Sequence, residues 1–160
     1  MAHPTYKHEG EILQVVRRFE SCDYALEEFT HARHVTVACW YLCTNAREEA
    51  LARMRDGLKR FIAHHGRQGY HETITRFWME LLGNYLQEFA PGATLLAKVN
   101  RAMESYESKD VLLSYYSRER VMSDIARREW VAPELRSIGE PQSSATEDFP
   151  QLIERWIDRK

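Results

Sequence analysis

The sequence predicts an all-α protein, a helical bundle of four main helices with additional short ones. Only seven glycines and five prolines interrupt the 160 residues, and they fall between long stretches of good helix formers. Within these stretches the apolar residues recur at helical spacing. No stretch alternates apolar and polar residues for long enough to favour a strand instead.

The four main helices are expected over residues 9–21, about 24–43, roughly 46–64, and from about residue 71 to just before Pro91. The second is apolar nearly all round in its later half, which is typical of a helix buried on several sides. The fourth has a seam of heptad-like spacing. That seam consists of His71, Thr75, Trp78, Leu82, Tyr85 and Phe89.

The rest of the chain predicts shorter elements and one appended segment. A fifth helix is expected over 94–107 and two short helical pieces within 109–130. Residues 1–138 therefore form one bundle domain, followed over 139–160 by a linker and a last amphipathic helix. So short a helix is not stable alone, so we expect it to pack on the body or on a partner subunit, which makes a homodimer the expected state.

Composition narrows the class of partner and the compartment. The 22 basic residues nearly balance the 24 acidic ones without a basic stripe, which disfavours nucleic acid. No apolar run approaches the roughly 20 residues that span a bilayer, and no signal peptide is evident. Cys22, Cys39 and Cys43 lack paired spacing and are expected as reduced thiols, the last two in the core, in a cytoplasmic protein.

Three histidines form the most informative pattern. His31 and His34 lie three residues apart, and His71 opens a later helix; all three project onto the apolar side of their helices. Side chains at i and i+3 stand about 5 to 6 Å apart, close enough to share one cation. A third imidazole from another helix would complete a mononuclear site for Zn, Fe or Mn. We therefore predict His31, His34 and His71 as metal ligands.

Two carboxylates are placed to join such a site. Glu28 precedes His31 by three residues, which is similar to the Glu-x-x-His unit of di-iron bundles, and Glu72 directly follows His71. Either is a candidate general base or further ligand. Hydrolysis by metal-activated water and oxidation by Fe(II) are the two reactions that this set predicts.

Arg118 is the candidate for orienting an anionic or polar small molecule, with Tyr116 and Ser117 beside it. The alternative is an Arg–Glu network that fastens this segment to the bundle, with the tyrosines as half-buried packing. Ser117 is also a candidate cap of a short helix. Tyr70 and Thr75 add hydroxyl groups near His71. Thr75 either fixes the tautomer of that imidazole or bonds back to the carbonyl four residues earlier.

Other functions remain open on the same residues. One is a metal-free bundle in which buried histidines and tyrosines line a pocket for a small molecule. Another is a homodimeric interaction module that uses the first helix or the segment 149–157 as its interface. The sequence contains no nucleophile elbow, phosphate-binding glycine loop or dinucleotide fingerprint, which disfavours serine hydrolysis and nucleotide-dependent chemistry.

Four segments together resemble a family of short bacterial α-helical proteins. They are Phe29-Thr30-His31-Ala32-Arg33-His34, Tyr70-His71-Glu72-Thr73-Ile74-Thr75, Tyr116-Ser117-Arg118-Glu119, and Trp130-Val131-Ala132-Pro133-Glu134-Leu135. The resemblance covers most of residues 25–135. It implies that the histidines, the Tyr-His-Glu-Thr start and the Tyr-Ser-Arg turn belong to one site, and it implies no particular activity.

Overall fold

The computed structural model describes residues 5–139, and this part of the chain is helical without strands, which confirms the predicted all-α bundle. Five longer helices are followed by two short ones. A 3₁₀ turn at Leu26–Glu28 follows the first helix, and another at Lys109–Ser114 follows the fifth. The helices are α1 (Glu9–Glu20), α2 (His31–Thr44), α3 (Arg47–His64), α4 (Glu72–Leu86), α5 (Leu95–Ser105), α6 (Arg118–Val121) and α7 (Asp124–Arg128).

Helix α2 is the centre of the bundle, because it packs against α1, α3, α4 and α5. Its middle is buried on all sides, with Val37 and Cys39 excluded from solvent, as its nearly uniform apolar composition predicts. Cys43, one turn later, is exposed, so the expectation that it is a core thiol was wrong. No helix within residues 5–139 is long and apolar enough to cross a membrane.

The start of the second helix differs from the prediction. Helix α2 begins at His31 rather than near residue 24, because the preceding residues form the separate 3₁₀ turn Leu26–Glu28. The Glu28 carboxylate accepts a hydrogen bond from the Ala25 backbone N–H and stabilises that turn, and Thr30 is extended as the N-cap of α2. His31 is therefore in the first turn of its helix.

The predicted fourth helix is shorter at both ends. His71 is its extended N-cap rather than a helical residue, and the helix ends at Leu86, before Phe89. The chain then passes through α5, α6 and α7 and continues without helix to Gly139. In this last segment the Leu135 N–H donates a hydrogen bond to the Tyr115 carbonyl. Beyond Gly139, the predicted linker and last helix, and with them the predicted dimer contact, lie outside the described residues.

Candidate ligand-binding site

A cavity of about 410 Å³ opens between α2, α3 and α4, beside the first 3₁₀ turn. Its volume is in the range of small-molecule sites. The residues that line it are Leu26, Glu27, Phe29, Thr30, His31, His34, Val35, Ala38, Met54, Leu58, Ile74, Thr75, Trp78, Met79, Leu82 and Lys109. Most of these side chains are apolar, so burying an unpaired charge among them would be costly.

The polar lining residues divide into a mouth and an interior. Glu27, Thr30 and Lys109 are exposed and form the mouth. His34 lies one helical turn further along α2, in the interior. A bound molecule would thus meet charge at the entrance, and apolar surface with imidazole inside.

His34 is the unusual group of the interior. Its ring packs on Phe29, with 4.2 Å between the centroids, and has no hydrogen-bond partner within residues 5–139. Burial, with a smaller contribution from the neighbouring His31, lowers the pKa of His34 to about 4. The surface that this partly buried ring still exposes lines the cavity. At neutral pH it is an uncharged imidazole with an N–H donor and a nitrogen acceptor unused.

His31 also lines the cavity but is held by the protein. Its Nε2 lies 2.9 Å from the Tyr106 carbonyl oxygen, and its ring meets Trp78 edge-on at 5.0 Å between centroids. Because a carbonyl only accepts, Nε2 carries the hydrogen and Nδ1 keeps the lone pair. Burial lowers the pKa of His31, and the positive charge of Lys109 lowers it further. This ring is neutral and fixed in orientation.

The structure does not bring His71 to the other two histidines. His71 is only 9% exposed; its Nε2 donates to the Val121 carbonyl at 2.7 Å, and its Nδ1 accepts from the Ile74 N–H at 3.2 Å. Both ring nitrogens are therefore occupied by backbone. Across residues 5–139 no three His, Cys, Asp or Glu side chains are grouped closely enough to hold a metal ion.

The two candidate carboxylates are also engaged away from the cavity. Glu72 forms a bidentate pair with Arg55, at 2.6 and 3.0 Å, and accepts from the Tyr70 hydroxyl at 2.8 Å. The Arg55 guanidinium lowers the pKa of Glu72. Glu28 caps its 3₁₀ turn and lies 3.9 Å from Arg18. Of the acidic residues, it is Glu27 that reaches the cavity mouth.

The Tyr-Ser-Arg turn forms structural contacts outside the cavity. The Tyr116 hydroxyl donates to the Val131 carbonyl at 2.6 Å. Ser117 caps α6, which confirms that part of the prediction, and also donates to Glu134. Arg118 is exposed on α6. The resemblance implies a single site, but in the structure His31 and His34 line the cavity while the Tyr-Ser-Arg turn lies outside it.

Of the predicted site residues, His31, His34 and Thr75 line the cavity, and the Thr75 hydroxyl bonds back to the His71 carbonyl at 2.9 Å. Sequence reasoning missed Lys109 as a lining residue, because a loop after α5 brings it to the cavity and no local pattern in the sequence signals this. No protein-family model, curated protein or solved structure matches the chain.

Proposed function

We propose that this protein binds a small, largely apolar organic molecule in the cavity between α2 and α4, without a metal ion. The observation that carries the proposal is His34, an imidazole that finds no hydrogen-bond partner between residues 5 and 139 and lines a cavity of about 410 Å³. A buried polar group without a partner costs about 1–3 kcal/mol, and most such groups in folded proteins are paired. A ligand that hydrogen-bonds this ring would remove that cost.

The lining indicates the kind of molecule. Phe29 and Trp78 offer aromatic surface, and Met54, Met79 and Leu82 offer aliphatic and thioether surface. Burial of an apolar body against these side chains supplies affinity at roughly 25 cal/mol per Å² before the losses of association. The neutral His34 ring fixes the orientation through one hydrogen bond, with either a donor or an acceptor of the ligand.

A mononuclear metal site built from His31, His34 and His71 stays a hypothesis, and the geometry supports it less well. His71 would have to release the Val121 carbonyl and the Ile74 N–H, and His31 would be left with only Nδ1 as a ligand atom. Neither Glu28 nor Glu72 lies at the cavity to complete the set. Binding without metal requires none of these changes.

The test is a cavity-filling variant of α2 with a matched control. Ala38 is 2% exposed and lines the cavity, whereas Ala32, also on α2, does not. We expect neutral aromatic fragments of the size of indole to bind the wild-type chain and A32L in ligand-observed NMR. A38L should lose this binding while it stays folded, because the leucine side chain occupies the space.

Two outcomes would contradict the proposal. One is that no fragment of such a library binds the wild-type chain. The other is that fragments bind A38L as well as A32L, which would place the binding surface outside the cavity. Circular dichroism and thermal unfolding of each variant establish that the loss of binding is not a loss of fold.

We also propose a cellular compartment for the protein. We infer a cytoplasmic location, supported by three cysteines that are all free of disulfides in the structure, one of them exposed at residue 43. A localisation experiment with a C-terminal fluorescent fusion tests it.

A further inference from the structure

We propose that the ligand of the cavity is a monocarboxylic acid whose carboxylate lies at the mouth and whose apolar body extends into the interior. The inference rests on the proposed function and adds the chemical class of the ligand. It is carried by a lysine without an ion-pair partner among the described residues, by the N-terminus of α2 with its exposed N-cap Thr30, and by the largely apolar interior of the cavity.

Lys109 places one positive charge at the mouth. It is the first residue of the second 3₁₀ turn, it is exposed, and it lines the cavity. No ion pair engages its ammonium group in the part of the chain that the structure describes, residues 5–139. Its charge acts on the ring of His31, whose pKa is lowered mainly by burial and in part by this lysine. The positive potential therefore reaches inside the cavity.

The N-terminus of α2 adds partial positive charge at the same place. Thr30, its N-cap, lines the mouth, and the Thr30 side chain caps no backbone N–H. The N–H groups of residues 31, 32 and 33 have no acceptor among the described residues. These groups and the dipole of a 14-residue helix favour an anion. His34, one turn inside, supplies the independent sign of a missing ligand.

Glu27 limits the charge that the mouth accepts. Its carboxylate is exposed and lines the cavity at the mouth. One lysine opposed by one rim carboxylate suits a singly charged carboxylate better than a dianionic phosphate. The apolar interior in turn favours an acid with a hydrocarbon or aromatic body.

The experiment compares three probes of the same shape: 4-phenylbutanoate, 4-phenylbutanamide and 4-phenylbutan-1-amine. Affinities are measured by calorimetry on the wild-type chain, K109M and K98M. Lys98 is on α5 and does not line the cavity, so its variant matches the change in net charge. We expect the acid to bind the wild-type chain and K98M more tightly than the amide does. K109M should weaken the acid roughly fivefold and the amide less than twofold.

A second variant and the ionic strength sharpen the result. E27Q should strengthen the acid by roughly twofold, because among residues 5–139 Glu27 is the acidic side chain that lines the mouth, and it should weaken the amine. The preference for the acid should decline as salt screens the charges.

The outcomes separate this inference from the proposed function. If acid and amide bind equally, or if the amine binds best, the carboxylate assignment is overturned while binding in the cavity stands. Equal weakening by K109M and K98M would likewise overturn it. If none of the three probes binds and neutral fragments also fail, both proposals are wrong.

Discussion

The cavity and the start of α4 both contain histidine and threonine side chains, but the two regions differ in how these side chains are hydrogen-bonded. At the start of α4, His71 uses both ring nitrogens, and Thr73 donates to the Glu129 carbonyl and accepts from the Val131 N–H. In the cavity, His34 has no hydrogen-bond partner in the part of the chain that the structure describes. His71 and His34 look equivalent along the sequence, but within residues 5–139 backbone groups hold both ring nitrogens of His71 and neither of those of His34.

The difference follows from what faces each ring. Val121 ends α6 and Glu129 follows α7, so their carbonyl groups lie where no further helical turn supplies an N–H. His71 and Thr73 supply the missing donors and fasten the C-terminal segment to α4. The ring of His34 faces apolar side chains and open space, which offer no partner. The hydrogen bonding of each ring is therefore set by the groups that the packing places opposite it.

The largest expected effect is the difference in stability between replacing His71 with leucine and replacing His34 with leucine. His71→Leu leaves the Val121 carbonyl and the Ile74 N–H unpaired in a buried place, so we expect it to lower the free energy of unfolding by about 2–4 kcal/mol. His34→Leu breaks no hydrogen bond and removes an imidazole that has no partner among the described residues, so we expect it not to lower the free energy of unfolding. Urea unfolding followed by circular dichroism measures both. Equal losses would show that His34 has a structural partner after all.

The pH dependence of stability should depend on His34. Its pKa is about 4 in the folded protein against 6.5 as the ordinary value, so the unfolded chain binds more protons between these two values. The free energy of unfolding therefore falls as the pH is lowered from 6.5 to 4, by up to about 3 kcal/mol from this residue. His31 and His71, whose pKa values are also lowered, act in the same direction.

His34→Leu isolates this contribution, because the variant keeps the other two histidines. Urea unfolding at pH 7 and at pH 4.5 should show a smaller decrease for the variant than for the wild-type chain. An identical pH dependence of the two proteins would mean that His34 titrates normally and is not enclosed.

Replacing the two threonines on α4 with valine should give a smaller difference in stability. Thr73→Val removes bonds to both Glu129 and Val131 across the junction, and we expect a loss of about 1–2 kcal/mol. Thr75→Val removes only a bond back to the His71 carbonyl of its own helix and should cost less than about 0.5 kcal/mol. Thermal unfolding compares them. A larger loss for T75V would indicate that the cavity wall, not the junction, governs stability.

The smallest expected effect is that of metal removal. Dialysis against a chelator should leave the melting temperature unchanged, and elemental analysis of protein purified without an affinity tag should find no stoichiometric transition metal, because the described residues assemble no ligand set. Reconstitution with Zn²⁺, Mn²⁺ or Fe²⁺ serves as the control. One equivalent of tightly bound metal, with a raised melting temperature, would restore the metal hypothesis and contradict ours.

Much of the fold was predictable because it depends on local patterns. The helical class, the extent of α1 and α3, and the cap at Ser117 follow from spacing and capping chemistry that act within one or two turns. The early start predicted for α2 failed because residues 24–30 share its apolar pattern, but Glu28 bonds locally to Ala25 and closes a 3₁₀ turn instead.

The candidate site was predictable only in part. The inward direction of His31 and His34 follows from periodicity, and both line the cavity. Lys109 reaches the same cavity through a loop, and no local pattern records that approach.

The sequence by itself determined an all-α chain and the faces that its helices bury, because hydrophobic periodicity specifies direction around a helix axis. Only the tertiary structure decided what each buried polar side chain meets. His71 finds Val121, 50 residues away, and His31 finds Tyr106, 75 residues away. Such partners come together when the helices pack, and spacing along the chain carries no information about them.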